Sequence, residues 1–269
     1  MTETFTTTFT TTDGVDLGLV RWGPDPAASQ APPLLLVHGG VTAYQCFEPI
    51  VPALSADRHV VAYDRRGRGI SGDGKGAYTL AREVEDLVEV ARHVGDGGPV
   101  DVLGYSYGGM IALHALESDA LRRLVVYEPP FAVRGIPADG TDELLAVLDK
   151  GDIDAALRLF ITLTFHLPDS VVNAMERHPM WQVSRDTAPT IEREFDALER
   201  TVIPTAARPD LPVLVLVASV GGNPAFRDIA ARLEASLPDV TVAHVGGIPH
   251  FAISTDADTF VRHVTSFLA

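Results

Sequence analysis

The stretch VDVLGYSYGGMIAL, residues 100–113, sets a single serine between two apolar runs. The first run is typical of a buried strand and the second of a helix, so Ser106 falls at a strand-to-helix turn. Gly104 and Gly108 lie two positions before and after the serine and complete the pattern G-x-S-x-G. Small residues there let neighbouring backbone pass closely, so the turn can lift the serine hydroxyl out of the edge of a sheet. The alternative is that the glycines only make a tight turn.

Buried strands and helices alternate on both sides of this turn. A hairpin around Asp13-Gly14 is predicted near the start. Further along, short apolar runs predict strands, and apolar stripes with a period near 3.6 residues predict helices. The predicted strands are residues 33–40, 59–64, 100–105, 121–128, 212–218 and 240–245, and the helices are residues 47–54, 80–94, 109–117, 225–236 and 256–268. Repeated units of this kind favour an α/β fold with a mostly parallel, doubly wound sheet.

Residues 131–209 interrupt the alternation. They contain helical patterns and no convincing strand, and the stretch HPMWQV, residues 178–183, is interpreted as irregular. The helical patterns are residues 142–148, 152–165, 170–177 and 191–202. We predict a core of residues 1–130 and 210–269 and a helical insertion of residues 131–209 that covers one end of the sheet. The alternative is a long crossover with no special role.

The composition narrows the classes of partner. The net charge of −15 argues against nucleic acid and anionic membrane surfaces, because both would be repelled. The only cysteine, Cys46, excludes an internal disulfide and a cysteine zinc cluster. No signal peptide or membrane-spanning run is recognised, so we expect a soluble, cytoplasmic protein. We predict no metal and no cofactor. The oligomeric state stays open, with a homodimer as one alternative.

A serine hydroxyl is a weak nucleophile until a base takes its proton. Of the nine histidines, His250 in GGIPHFAIS follows the last predicted strand and so belongs at the sheet edge where Ser106 should project. His38 is interpreted as a hydrogen-bonded structural residue. His166 and His178 fall in the insertion, where they could touch a ligand. His250 is therefore our candidate for the base.

Four motifs together resemble the α/β-hydrolase family. They are HGG at 38–40, DRRGRGIS at 64–71, GYSYGG at 104–109 and GGIPH at 246–250, in the order and at the spacings usual for that family. The resemblance covers nearly the whole chain outside the insertion, which is similar to the family's cap. It implies the fold and a Ser-His pair, and it implies that the arginine-rich motif is structural rather than a phosphate loop.

The family's triad also has an acid, and here the chain departs from the commonest pattern. The acid usually follows the strand that matches PVLVLVA, but residues 211–227 contain no aspartate or glutamate. Some members carry it one strand earlier, which corresponds to Glu128 in LVVYEPPF. Asp210, Asp228 and a dyad without an acid are the alternatives. Glu128 is our candidate.

The backbone N–H groups of Gly40 and Tyr107 are the natural pair to hold a developing oxyanion. Glycine at position 40 would let the backbone approach a substrate carbonyl closely. Large apolar residues of the insertion and of the loop after Gly40 suggest a pocket for a small or medium neutral ligand, with Trp181 as the strongest single candidate. These residues are Tyr44, Phe47, Phe131, Phe160, Phe165, Met175, Met180, Trp181 and Phe251.

These residues predict a serine hydrolase that cleaves a carboxylic ester or a lactone through an acyl-enzyme. The position of Glu128 favours lactonases among the family's members. An aspartate nucleophile, as in related dehalogenases and epoxide hydrolases, is disfavoured because Ser106 occupies that position. The alternatives from other classes are a non-hydrolytic cyclase or lyase and a receptor that binds a ligand in the pocket.

Overall fold

The computed structural model describes residues 4–29, 31–136 and 140–269. Strands from this part of the chain form one eight-stranded sheet in the order β1-β2-β4-β3-β5-β6-β7-β8. The strands are β1 (Phe5–Thr10), β2 (Asp16–Trp22), β3 (Leu34–Val37), β4 (Val60–Tyr63), β5 (Val100–Tyr105), β6 (Leu121–Tyr127), β7 (Val213–Ala218) and β8 (Val240–Val245). β2 is antiparallel to both of its neighbours, β1 and β4. The other pairs are parallel, so the predicted α/β fold is confirmed.

Helices follow most of the parallel strands. Those of the sheet region are α1 (Val51–Leu54), α2 (Leu80–Gly95), α3 (Tyr107–Leu113), α9 (Ala225–Ser236), α10 (Ala252–Thr255) and α11 (Ala257–Leu268). Between β6 and β7 lie α4 (Thr141–Asp149), α5 (Ile153–Phe165), α6 (Asp169–Met175), α7 (Met180–Thr187) and α8 (Ile191–Leu198). We call residues 131–209 the cap segment. Its treatment as a separate unit stays a prediction.

Both faces of the sheet are buried. In β3, Leu35 and Val37 pack into one hydrophobic cluster, while Leu34 and Leu36 pack into the cluster on the opposite face. Successive side chains of a strand point to opposite faces, so a strand covered on both sides needs an unbroken apolar run. This is why the central strands read as continuous apolar stretches in the sequence.

Two local predictions were wrong. Residues 178–183 are not irregular, because α7 begins at Met180. Only Trp181 and Thr187 of that helix are buried, and this spacing leaves no periodic stripe to recognise. The helix predicted at 47–54 is a 3-10 turn, Tyr44–Phe47, followed by the short α1. Pro52 lies in the first turn of α1, and a proline has no N–H to continue the helical hydrogen bonds from the preceding turn.

Candidate active site

Ser106 lies at the junction of β5 and α3. Its backbone has φ 53° and ψ −122°, a conformation that side-chain-bearing residues rarely adopt. A Cβ at Gly104 would lie 2.6 Å from the Gly109 Cα, and a Cβ at Gly108 would overlap the carbonyl oxygen of Val37. Backbone therefore occupies the space on both sides of the turn. The G-x-S-x-G pattern is thus a packing requirement of this bend.

Glu128 lies beside the serine, directly after the neighbouring strand β6. Tyr105 and Tyr127 are paired in the parallel register of β5 and β6, so Ser106 and Glu128 each follow one member of that pair. The Ser106 N–H donates to the Tyr127 carbonyl oxygen at 2.8 Å. Glu128 is buried and also has a positive φ, 44°. The two residues thus leave adjacent strands at the same edge.

The Glu128 carboxylate joins the ends of two other segments. Its Oε1 accepts the N–H of Ala218, the last residue of β7, at 2.9 Å. Its Oε2 lies 2.8 Å from Nδ1 of His250. A carboxylate accepts hydrogen bonds, so His250 carries its hydrogen on Nδ1 and leaves Nε2 with a free lone pair. The end of β7 thus supplies a backbone donor to Glu128, the residue that follows β6.

Asp210 and Asp228 are placed differently. The Asp210 carboxylate is 79% exposed and pairs with Arg208, and that of Asp228 is 51% exposed and pairs with Arg232. Neither has a hydrogen bond to His250. Among the three carboxylates that the sequence offered, Glu128 is the one the structure brings to the imidazole.

Aromatic rings enclose His250, whose backbone φ is 67°. The Phe165 ring of α5 is stacked on the imidazole at 4.1 Å, and the Phe226 ring of α9 lies 5.2 Å away. The Tyr105 hydroxyl donates to the His250 carbonyl oxygen at 3.0 Å. The imidazole is thus held on an apolar platform that excludes water from one face.

In the described part of the chain, the Ser106 hydroxyl and the His250 imidazole make no hydrogen bond to each other. Hydrogen bonds of this type are often long without substrate and shorten when it binds. Ser106 lines a cavity together with Phe165, whose ring covers His250. Phe165 therefore contacts the imidazole and also lines the cavity into which Ser106 opens.

The loop after β3 presents Gly40. Among the described residues, neither the Gly40 N–H nor the Tyr107 N–H donates to a protein acceptor. Tyr107 is the first residue of α3, where an N–H has no partner within the helix. Gly40 is followed by Val41, a β-branched residue with φ 46°. Both amides are therefore available to a ligand beside Ser106.

The carbonyl oxygen of Gly39 fixes the direction of the Gly40 amide. It accepts from Nδ1 of His38 at 2.9 Å and from Nη1 of Arg65 at 3.0 Å. Because a trans peptide is planar, its C=O and N–H point in opposite directions. Holding this carbonyl on the Arg65 side therefore turns the Gly40 N–H to the other side of the loop. The arginine also polarises the same peptide unit.

His38, which helps to hold the Gly39 carbonyl, is electrically neutral. Its Nε2 accepts the Arg65 backbone N–H at 3.0 Å. Burial, together with the positive charges of Arg65 and Arg68, holds the pKa of His38 well below 6.5. The 3.8 Å approach of Asp64 to Nε2 is therefore not an ion pair. The interpretation of His38 as structural agrees with these contacts.

A buried network of charges lies under the loop. Arg65 donates to both oxygens of Glu83 and to Oε1 of Glu194, and Arg68 donates to the same Glu194 oxygen. Burial opposes the charge on Glu83, but Arg65 and Arg68 together hold its pKa below the ordinary value. Glu194 belongs to α8, so the network ties the cap segment to the loop after β4.

The cavity above Ser106 is mostly apolar. It is lined by Gly40, Ser106, Tyr107, Pro130, Ile136, Phe160, Thr164, Phe165, Ile191, Glu194, Phe195, Leu198 and Phe226. Its volume is about 40 Å³, which is room for a few water molecules. Ligand sites usually measure several hundred Å³, so an acyl group longer than a few atoms would enter only after side chains of α5 and α8 move aside.

The predicted pocket residues divide into two groups. Phe160 and Phe165 line the cavity, and Phe251 lies edge-on against both Phe165 and His250. The Trp181 indole instead donates to Asp154 at 2.9 Å, outside the cavity lining. The others that lie outside the lining are Tyr44, Phe47, Phe131, Met175, Met180 and Phe251.

Sequence reasoning missed the residues that α8 and α9 contribute. Ile191, Phe195 and Leu198 form the apolar stripe of α8, and Phe226 lies on α9. Glu194 lies within that stripe. A glutamate among the apolar positions of a predicted helix is the sequence signal that indicates a buried carboxylate here.

Within residues 4–29, 31–136 and 140–269, no group of three or more His, Cys, Asp or Glu side chains is arranged to hold a metal ion. No helix of the described chain is both long and apolar enough to cross a membrane.

A family model described as the alpha/beta hydrolase family matches residues 34–263. The chain belongs to the α/β-hydrolase family. A solved α/β-hydrolase from Sphaerobacter thermophilus is 28% identical to it, with a TM-score of 0.79 over 98% of this chain and 100% of that one. The enol-lactonase from Burkholderia xenovorans is 19% identical, with a TM-score of 0.75 over 97% and 99% of the two chains.

One relative of this α/β-hydrolase is not named as a hydrolase. The magnesium-chelatase 30 kDa subunit of Rhodobacter capsulatus is 24% identical over 254 residues, which cover 84% of this chain and 83% of the relative. The likeness to the enol-lactonase shows the fold, and the family membership rests on the family model.

Proposed function

We propose that this α/β-hydrolase is a serine hydrolase that cleaves a carboxylic ester or a lactone. The observation that carries the proposal is the 2.8 Å contact between His250 Nδ1 and Glu128 Oε2 beside a strained Ser106. A ligand-binding protein would need neither an imidazole held in one tautomer nor a serine held in a costly backbone conformation.

In the proposed reaction, Ser106 Oγ attacks the substrate carbonyl carbon while His250 Nε2 takes the hydroxyl proton. The Glu128 carboxylate stabilises the imidazolium that results. The tetrahedral intermediate then collapses, and the imidazolium gives its proton to the leaving alkoxide. Water repeats the attack on the acyl-enzyme with His250 as base, which releases the acid and restores the serine.

The N–H groups of Gly40 and Tyr107 would receive the negative charge of the tetrahedral oxygen. Both are fixed by the fold, Gly40 through the anchored Gly39 carbonyl and Tyr107 at the N-terminus of α3. Donors that are already oriented do not have to reorganise during the reaction, and each such donor typically contributes about 10²–10³-fold in kcat.

The cap segment would close the site. It supplies Phe160, Phe165, Glu194 and Phe195 to the cavity lining. Mostly apolar walls support a neutral substrate of small to medium size. A solved neighbour named as an enol-lactonase makes lactones part of the set to be tried.

The test is steady-state hydrolysis of a panel of p-nitrophenyl esters and lactones of graded size. We expect turnover by the native protein and a loss of at least about 10³-fold in Ser106→Ala. Ser219→Ala is the matched control, because Ser219 is an exposed serine just after β7 at the same sheet edge. Turnover that survives in Ser106→Ala would contradict the proposal.

The second candidate is a non-hydrolytic enzyme on the same fold. It is favoured by the relative named as a magnesium-chelatase subunit. A native protein that consumes none of the esters or lactones would support this candidate.

A further inference from the structure

The side chain of Glu194 is buried, and only one of its two carboxylate oxygens accepts hydrogen bonds from the protein. Its side chain is 7% exposed. Arg65 and Arg68 both donate to Oε1 at 2.6 Å. Within the described residues, Oε2 accepts no hydrogen bond, and Glu194 is part of the cavity lining. The carboxylate therefore presents an unused acceptor to the space above Ser106.

The free oxygen faces the loop that carries the Gly40 amide. A Cβ placed on Gly40 would lie 2.9 Å from Glu194 Oε2. Packing therefore also favours glycine at position 40, because any side chain there would displace the Glu194 carboxylate. The acceptor and the Gly40 N–H, which we proposed to hold the substrate carbonyl oxygen, are neighbours in the cavity.

A hydrogen bond from a ligand donor to a carboxylate oxygen is among the stronger hydrogen bonds that a protein can offer. The remaining lining is mainly apolar, so Glu194 Oε2 is the strongest hydrogen-bond acceptor that the described lining offers a substrate. A carboxylate brought to the same point would place two oxygens that only accept hydrogen bonds against each other.

We propose that Glu194 selects substrates whose acyl part carries a hydrogen-bond donor, a hydroxyl or an ammonium group, on the carbon next to the carbonyl or one carbon further. This assignment rests on the proposed hydrolase function, because it uses the carbonyl position at Gly40. It makes Glu194 a specificity-determining residue and excludes acyl groups with a carboxylate at that position.

Glu194→Gln tests the assignment because the arginines orient the new side chain. Both arginines donate, so the amide oxygen of glutamine would take the place of Oε1 and its NH2 group would face Gly40. The substitution therefore turns an acceptor into a donor with little change in shape. Glu83→Gln is the matched control, since it removes a carboxylate from the same arginines at a residue outside the cavity lining.

The substrates are four methyl esters on one scaffold: phenylacetate, mandelate, phenylglycine and the monoester of phenylmalonate. They present hydrogen, hydroxyl, ammonium and carboxylate at the same carbon. We expect the native protein to favour the hydroxyl or the ammonium ester over phenylacetate by about tenfold or more in kcat/KM. Glu194→Gln should abolish this preference and raise the rate for the carboxylate, while Glu83→Gln should keep the native order.

Two results would overturn the assignment. One is a native protein with no preference for the donor esters, and the other is an equal change of order in Glu83→Gln, which would reveal a general effect of charge. A native protein without this preference overturns the assignment even if Glu194→Gln does not fold.

Binding separates this assignment from the proposed function. Mandelamide and phenylacetamide resist hydrolysis, and their affinities for Ser106→Ala are measured by ligand-observed NMR. We expect Ser106→Ala to bind mandelamide more tightly than phenylacetamide. Loss of this difference in Ser106→Ala/Glu194→Gln supports the role of Glu194 even if no ester is hydrolysed. Equal affinities overturn that role even if esters are hydrolysed.

Discussion

Glu128 Oε2 lies 2.8 Å from His250 Nδ1, while Glu128 Oε1 accepts the Ala218 N–H at 2.9 Å. The carboxylate is therefore fixed at both oxygens, by the imidazole on one side and by the end of β7 on the other. A glutamate directly after β6 can orient the imidazole because one of its oxygens reaches His250 while the other is held by the end of β7.

Glu128→Gln should lower kcat by roughly 10²–10⁴-fold, since an amide neither stabilises the imidazolium nor enforces the Nδ1–H tautomer. Steady-state hydrolysis of the best ester measures the effect. Asp210→Asn and Asp228→Asn are the controls and should leave kcat within about twofold, because both carboxylates pair at the surface. A large loss in either control with none in Glu128→Gln would disprove the assignment of the acid.

Gly108→Ala should destabilise the protein by about 1–3 kcal/mol or more, because the new Cβ would overlap the carbonyl oxygens of Val37 and His38. Urea denaturation followed by circular dichroism measures the free energy of unfolding. Gly76→Ala is the matched control, with no atom within 4 Å of its Cβ, and should stay within about 0.5 kcal/mol of the native protein. Equal stability of the two variants would show that the turn is not tightly packed.

His38 should remain neutral in the folded protein as the solution is acidified. Burial and the two arginines depress its pKa in the fold, whereas in the unfolded chain it takes up a proton near pH 6.5. Acid below that value therefore favours unfolding, by up to about 1.4 kcal/mol for each pH unit. The free energy of unfolding should fall between about pH 7.5 and about pH 5.5, and by about 1 kcal/mol less in His38→Gln.

Nitrogen-15 NMR of the imidazoles gives the direct check on His38. The ring should show the neutral form with hydrogen on Nδ1 throughout that range, as the bond to the Gly39 carbonyl requires. A titration of His38 in the folded protein near pH 6.5 would contradict this account.

Phe160→Ala should shift the substrate preference towards longer acyl chains, because the ring lines a cavity of only about 40 Å³. The ratio of kcat/KM for p-nitrophenyl octanoate to that for the acetate should rise by about tenfold. Trp181→Phe is the control and should leave the ratio unchanged, since its indole lies outside the lining. If Trp181→Phe changes the ratio and Phe160→Ala does not, the cavity is not the acyl site.

Much of the fold follows from local patterns in the chain. The strands β3 to β8 are readable from their short apolar runs, and the hairpin of β1 and β2 from its Asp13-Gly14 turn. Helix α2 is equally clear, with Thr79 accepting the Arg82 N–H at its start. Helix α7 could not be read, because its two buried residues depend on how the cap segment packs.

Part of the candidate site was likewise predictable from local sequence patterns, and part was not. Ser106 and His250 stand in recognisable local contexts, and Glu128 could be chosen because residues 211–227 contain no aspartate or glutamate. The cavity walls depend on contacts between segments distant in the chain, such as Glu194 with Arg65, a separation that no local pattern encodes. Trp181 was favoured because its stretch was interpreted as irregular, but it lies on α7 and its indole donates to Asp154 on α5.

The most direct test of the central claim is covalent labelling with a fluorophosphonate, followed by intact-protein mass spectrometry and peptide mapping. We predict one adduct per chain on Ser106, together with loss of ester hydrolysis, and much slower labelling in His250→Ala because the base is missing. Absence of an adduct on Ser106, or an adduct on another residue with hydrolysis intact in Ser106→Ala, would contradict the claim that Ser106 is the nucleophile.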